Sequence, residues 1–237
     1  MNIDTYFSQL RLQGMQRVWQ SLQERHQQDK VGLGEALEMM LQAEMDDRDN
    51  RRYERLRKSA HFRYRASIEE IKTDASRGID PSLITRLATG EYLHKGESIL
   101  ITGATGCGKS FIASALGHQA CAQGKKVAYF NTQKLFLKTK MARLDGTILK
   151  LQEKLAKMDL LILDDFGLSP LETKQRLDLM EIMEDRHARA STIIASQLPV
   201  SSWYEIIGEE TIADALLDRF AHTAHRIELK GESLRRK

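Results

Sequence analysis

Residues 103 to 110, Gly103-Ala104-Thr105-Gly106-Cys107-Gly108-Lys109-Ser110, have the types and spacing to cradle a phosphate chain. Gly103 and Gly108 permit backbone angles and close approaches that a side chain would block. Backbone N–H groups can then curl around a phosphate at the positive end of the helix that follows. Lys109 offers a point charge for the outer phosphate oxygens, and Ser110 a hydroxyl for Mg²⁺. The expected nucleotide contacts therefore run from Gly103 to Phe111. A second constellation lies in "MDLLILDDFGLSP", where the apolar run 160–163 ends in Asp164 and Asp165. Acids at the carboxyl end of a buried strand share an edge with a phosphate loop. Asp164 is then placed to hold Mg²⁺ through water, and Asp165 to act as general base on an attacking water. Ser196 and Gln197 end another apolar run, where a polar group either touches the terminal phosphate or belongs to an ordinary turn. Arg219, near the end of "IADALLDRFAHTAHRI", reads either as a surface ion pair or as a group aimed at a neighbouring subunit's nucleotide.

These residues need a scaffold, and the hydrophobic pattern supplies one. Strand candidates are 98–102, 127–131, 159–165, 191–196 and 224–229, with helical spacing between them. The alternation predicts an α/β core, 97–237, with a five-stranded parallel sheet between helices. Apolar residues three and four apart predict helix through 1–72, punctuated by Gly32 and Gly34. This front section is expected to be a small all-helical domain, joined to the core by a linker over 73–96.

The chain of 237 residues is 41% apolar and 29% charged, which excludes a disordered class. No apolar run reaches membrane-spanning length. The first residues show no signal-peptide pattern, and a cytoplasmic location is expected. Cys107 and Cys121 read as small packed residues rather than a disulfide or a metal site. Net charge is only +3, but its distribution is uneven. Residues 48–65 carry eight Arg or Lys against two acids, and 134–157 carry seven against two. Basic stretches with interleaved aromatics suit a phosphate backbone, although each could be a solvated helix face. The expected nucleic-acid contacts are Arg48, Arg51, Arg52, Arg55, Arg57 and Lys58 in the first stretch, and Lys138, Lys140 and Arg143 in the second.

Together, "GATGCGKS", "DLLILDDFGL", "MLQAEMDDRDNRR" and the ending "ALLDRFAHTAHRIELKGESLRRK" resemble the IstB-like helper ATPases of insertion sequences. These are relatives of the DnaC helicase loader in the initiator branch of AAA+ ATPases. The resemblance covers nearly the whole chain. It implies an AAA+ P-loop fold, ATP and Mg²⁺ as cofactors, and a homo-oligomer with ATP between subunits. It implies that Arg219 is an arginine finger, Gln197 a first sensor, and Arg235 a second sensor arginine. The helices over 132–157 fall where this branch inserts an element that meets DNA. The partners implied are duplex DNA and a transposase. Asp165 stands where glutamate is commoner in AAA+ proteins, and the end at Lys237 leaves little room for a helical lid.

The leading reading is an ATP-dependent, DNA-binding assembly factor that oligomerises on duplex DNA and assists a transposase. A replicative helicase loader is the alternative within the superfamily. A small-molecule kinase lacks an evident acceptor site, and a switch without turnover is the remaining alternative.

Overall fold

The computed structural model describes residues 2–25, 31–221 and 224–234. The chain divides into two units, Met1–Arg55 and Leu56–Lys237. The expected boundary at 72 thus falls inside the second unit.

The first unit is helical: α1 (Ile3–Gln9), α2 (Gln13–Glu24) and most of α3 (Leu33–Ala60). Phe7, Leu22 and Met40 are its buried apolar residues. α2 and α3 approach closely because Gly14 has no side chain. A Cβ there would lie 2.3 Å from the Ala43 carbonyl oxygen. The Gly14 N–H, an unpaired donor in the first turn of α2, donates instead to Glu44 Oε2 at 2.8 Å.

The second unit carries the sheet. Its strands are β1 (Ile99–Gly103), β2 (Val127–Asn131), β3 (Leu160–Phe166), β4 (Ser191–Ser196) and β5 (His225–Leu229). All pair in parallel, in the order β2-β3-β4-β1-β5. The helices are α4 (Pro81–Ala88), α5 (Glu91–Lys95), α6 (Lys109–Ala122), α7 (Thr132–Leu144), α8 (Ile148–Ala156), α9 (Thr173–Arg186), α10 (Trp203–Ile207) and α11 (Glu210–Ala221). Strands covered on both faces need unbroken apolar runs, and Leu160 to Leu163 and Ile193 to Ala195 are all 0% exposed. Leu100, Leu161, Leu163 and Ile194 share one face with residues of α7, α9 and α11, including Phe136, Leu179 and Phe220. On the other face, a Cβ on Gly117 of α6 would come within 2.9 Å of Ile162. The observed architecture is the predicted one, and each strand lies within a residue or so of its sequence candidate.

Two segments differ from expectation. Helix was predicted through 72, but α3 ends at Ala60 and His61 has a left-handed φ of 59°. Tertiary contacts of Phe62 and Arg63 within the second unit outweigh local helical preference here. The segment 73–96 was expected to be a linker, yet it holds α4 and α5. Asp80 caps α4 by accepting from Ser82 N, with Pro81 at the first helical position. Arg77 and Gly78 lie against the phosphate loop and the end of β5: Arg77 Nη2 donates to the Cys107 carbonyl at 2.6 Å, and Lys230 N to the Arg77 carbonyl at 2.9 Å.

Candidate nucleotide site

The strand order dictates which loops meet. β1, β4 and β3 are adjacent and parallel, so their carboxyl ends open side by side. The phosphate loop follows β1, Gln197 follows β4, and the acid pair ends β3. The loop holds its form through positive φ at Gly103, Gly106 and Gly108. At Gly106 a Cβ would lie 2.1 Å from Ser233 Oγ, so only glycine lets the chain after β5 pass. Leu234 N donates to the Gly106 carbonyl at 3.1 Å, and Cys107 Sγ to the Gly231 carbonyl at 3.2 Å.

A cleft of about 220 Å³ opens above the loop, lined by Thr105, Lys109, Ser110, Phe111, Asp165 and Gln197, with Tyr64 and Leu234 at its sides. Lys109 Nζ donates to the carbonyls of Gly103 and Ala104 at 2.7 and 2.9 Å. Ala104 is exposed within the loop. Thr105 Oγ1 donates to Gln197 Oε1 at 2.8 Å, which ties the end of β4 to the phosphate loop. Ser196 is fully buried, and its hydroxyl donates to the Phe166 carbonyl. Of the two polar residues after β4, Gln197 is therefore the one that faces the cleft. Beside this cleft lies a more apolar one of about 320 Å³, walled by Ile71, Ile79, Ile112 and Leu234. Phe111 and Gly108 border both. An apolar hollow adjoining a phosphate cradle suits a purine base.

The acid pair sits on a β-bulge. Leu163 pairs with Ile194 but Phe166 with Ser196, so β3 holds one residue more than β4 over that step. Asp165 takes the extra position with a left-handed φ of 56°. Asp164 turns inward and is 1% exposed. Its Oδ1 accepts from Ser110 Oγ at 2.9 Å and from Asp165 N at 3.0 Å. Its Oδ2 accepts from the Tyr129 hydroxyl. Burial, with the Asp164 carboxylate beside it, pushes that hydroxyl above the ordinary tyrosine range, so Tyr129 stays a donor. Asp165 Oδ2 accepts from Asn131 Nδ2 at 3.0 Å. Arg63 Nη1 reaches both acids, at 3.4 Å from Asp164 Oδ2 and 3.0 Å from Asp165 Oδ2.

Ser110 and Asp164 present hard oxygen donors to one point beneath the loop. Among the described residues no group of three His, Cys, Asp or Glu side chains is arranged to hold a metal. A cation here would share its ligands with bound phosphates, and that donor set fits Mg²⁺.

Other expected residues lie elsewhere. Arg219 adjoins a hollow bordered by Ser98, Ala190 and Arg186, next to the amino ends of β1 and β4. That is the opposite edge of the sheet from the phosphate loop. Its Nε donates to Glu184 Oε2 at 2.6 Å and its Nη1 to the Ala215 carbonyl at 2.8 Å. Arg48 and Arg51 pair with Glu44, and Arg51 also with Asp47. Arg52, Arg55 and Lys58 are exposed on α3, with Arg57 half-buried. Lys138 and Lys140 are exposed on α7, the former over the Phe130 ring at 5.5 Å. Arg143 instead ties α7 to α9: its Nε donates to the buried Asp178 at 2.8 Å. Arg235 lies outside the described residues. Arg63, Arg77, Tyr129 and Asn131 were not foreseen as site residues. Asn131 carries a sequence signal, since a polar residue ending an apolar strand at a parallel sheet's carboxyl edge is a site candidate.

Comparison with known proteins agrees with this geometry. The chain is 43% identical over 225 residues to an insertion sequence ATP-binding protein of Sinorhizobium fredii, covering 95% of this chain and 92% of that one. It is 41% identical over 195 residues to the IS1162 ATP-binding protein of Pseudomonas fluorescens, covering 82% and 84%. The DnaC helicase loader shares the fold at a TM-score of 0.57 and 19% identity, over 70% of this chain and 97% of that one. AMPPCP-bound DnaA from Aquifex aeolicus does so at 0.60 and 20%, over 73% and 52%. The profile of the family described as "IstB-like ATP binding protein" matches residues 5–237. With its parallel five-stranded core and its phosphate loop, the chain belongs to the IstB-like family of insertion sequence ATP-binding proteins.

Proposed function

We propose that this protein is an ATPase that assembles on duplex DNA with ATP between its subunits and assists a transposase. The observation that carries the reading is the distance of Arg219 from the chain's own phosphate loop, across the full length of the sheet. An arginine there can act on a triphosphate only if that triphosphate belongs to another copy. Its present partner is a surface carboxylate, Glu184, and pairs of that kind cost about 1 kcal/mol or less to break.

Within one subunit, Lys109 would leave the loop carbonyls for the outer phosphates. Ser110 and Asp164 would hold Mg²⁺, which when bound supplies charge neutralisation to the phosphates. Asp165 would accept a proton from the attacking water, and Gln197 would orient that water. Aspartate is one methylene shorter than the usual glutamate, and the bulge in β3 offsets this by pushing Asp165 out of the strand line. The exposed cations of α3 and α7 would meet the DNA backbone.

The test is binding of a labelled duplex and a matched single strand, each with a slowly hydrolysed ATP analogue and with ADP, reading complex size. Large complexes on duplex with the ATP analogue alone support the reading. Preference for the single strand favours a helicase loader. Absence of DNA binding in both states overturns both. Arg219→Ala is expected to keep ATP binding, read by equilibrium titration, and to lose turnover, read as phosphate release.

A further inference from the structure

The acids that would receive a divalent cation already face a cation of the chain's own. We infer that Arg63 is a positioning residue that competes with the divalent metal for the Asp164–Asp165 pair. This rests on the reading of Ser110 and Asp164 as metal ligands.

Three observations carry it. The first is contact: one nitrogen of Arg63, Nη1, lies within ion-pair distance of both carboxylates. Asp164 Oδ1 and Oδ2 already accept from Ser110, Asp165 N and Tyr129, so little lone-pair capacity is left to share. A doubly charged ion at the Ser110–Asp164 point would repel a guanidinium held on the same carboxylate.

The second is anchoring. Phe62 lies against His118 with ring centroids 4.2 Å apart and meets the edge of Tyr129 at 6.2 Å. It fits because residue 117 is glycine, where a Cβ would come 2.4 Å from Phe62 Cε1. On the other side of Arg63, His118 Nε2 is 3.0 Å from the Tyr64 carbonyl oxygen. The backbone on both flanks of Arg63 is thus fixed to α6, and the arginine's position is built rather than incidental.

The third is freedom of the side chain itself. Arg63 remains 41% exposed, while Asp164 is almost wholly buried. Release needs only rotation of a long side chain toward solvent. Tyr64, the next residue, lines the phosphate cleft, so a released guanidinium stays near any triphosphate bound there. The pair Arg63–acid and the pair metal–acid are then alternatives, and the 61–64 segment registers which one is present.

The experiment is titration of the full chain with Tb³⁺, without nucleotide, following emission sensitised by Tyr129 and Tyr64; Mn²⁺ titration by paramagnetic resonance is the second readout. Arg63→Ala is expected to tighten metal binding by about tenfold, and Arg63→Lys to fall between it and the unaltered chain. Arg63→Gln, closer in shape and neutral, replaces Arg63→Ala if the latter fails to fold. Asp164→Asn is expected to abolish the signal. Unchanged or weaker binding in the Arg63 variants, with the signal still lost in Asp164→Asn, overturns the competition and leaves the metal site standing. Full binding in Asp164→Asn overturns the metal site itself, and the competition with it.

Discussion

The two edges of the sheet use arginine in opposite ways. At the amino edge Arg186 is 1% exposed, and its donors go to fixed acceptors. Nη1 donates to the carbonyls of Leu155 and Met158 at 2.7 Å each, Nε to Thr192 Oγ1 at 3.3 Å, and Nη2 to the Ser191 carbonyl. Burial lowers its pKa to about 10, but it stays charged at neutral pH. At the carboxyl edge Arg63 is part-exposed and faces two acids that have another candidate partner. Buried hydrogen bonds to three main-chain carbonyls and a hydroxyl make an arginine a rivet. Sharing of carboxylates with a ligand makes it exchangeable. Arg219 lies next to Arg186 in space but belongs with Arg63 in kind, since its main partner is the exposed Glu184.

The strongest way to break this contrast is Arg186→Met. It strands several carbonyls among buried side chains, and a loss of about 3–5 kcal/mol is expected in urea unfolding. Nucleotide affinity of the folded fraction should not change. The mirror experiment is Lys109→Ala, expected to weaken ATP binding by at least about a hundredfold in calorimetry while unfolding shifts by less than about 1 kcal/mol. Tight binding retained in that variant would contradict the cradle. Gly117→Ala comes next. Its methyl would collide with Phe62 and Ile162, so about 1–3 kcal/mol of stability should be lost, together with the Phe62–His118 contact. Near-normal stability would mean that the 61–64 segment is not anchored through α6.

The smallest effect concerns the helical unit. Burial acts to raise the pKa of Glu44, but the Arg48 and Gly14 hydrogen bonds outweigh it and hold the carboxyl below its ordinary 4.5. A depressed folded pKa gives stability that is fully present above 4.5 and is lost as pH falls through the folded value. Hydrogen exchange in α2 and α3 should therefore quicken as pH drops below that point, after correction for intrinsic rates. Glu44→Gln should flatten the dependence.

Much of this was legible in the sequence because it rests on local pattern. Unbroken apolar runs gave the strands, and the glycine spacing with Lys109 gave the loop that meets Asp164. What escaped depends on contacts distant in sequence. The bulge that aims Asp165 is invisible in "LLILDDF", since it exists only relative to the register of β4. Arg63 lies 101 residues from Asp164, and "AHFRYR" continues a helical, basic texture that gives no sign of turning. Ile71 fell in the expected helical front and Ile79 in the expected linker, so the wall they form together could not be read from either segment alone. Charge counting also does not see pairing: Arg143, Arg48 and Arg51 are engaged by acids of their own unit.

The two thiols give the molecule an internal pair of clocks. Cys107 is 1% exposed in the phosphate loop, with its sulfur on the Gly231 carbonyl, so a reagent reaches it only when the chain after β5 lifts away. Cys121 is fully buried on α6, and burial raises its thiol pKa to about 12. Its modification requires the core itself to open. Alkylation at the first position times the loosening of the loop, and alkylation at the second times the loss of the fold. The ratio of the two rates measures, without any added label, how independently the phosphate loop breathes.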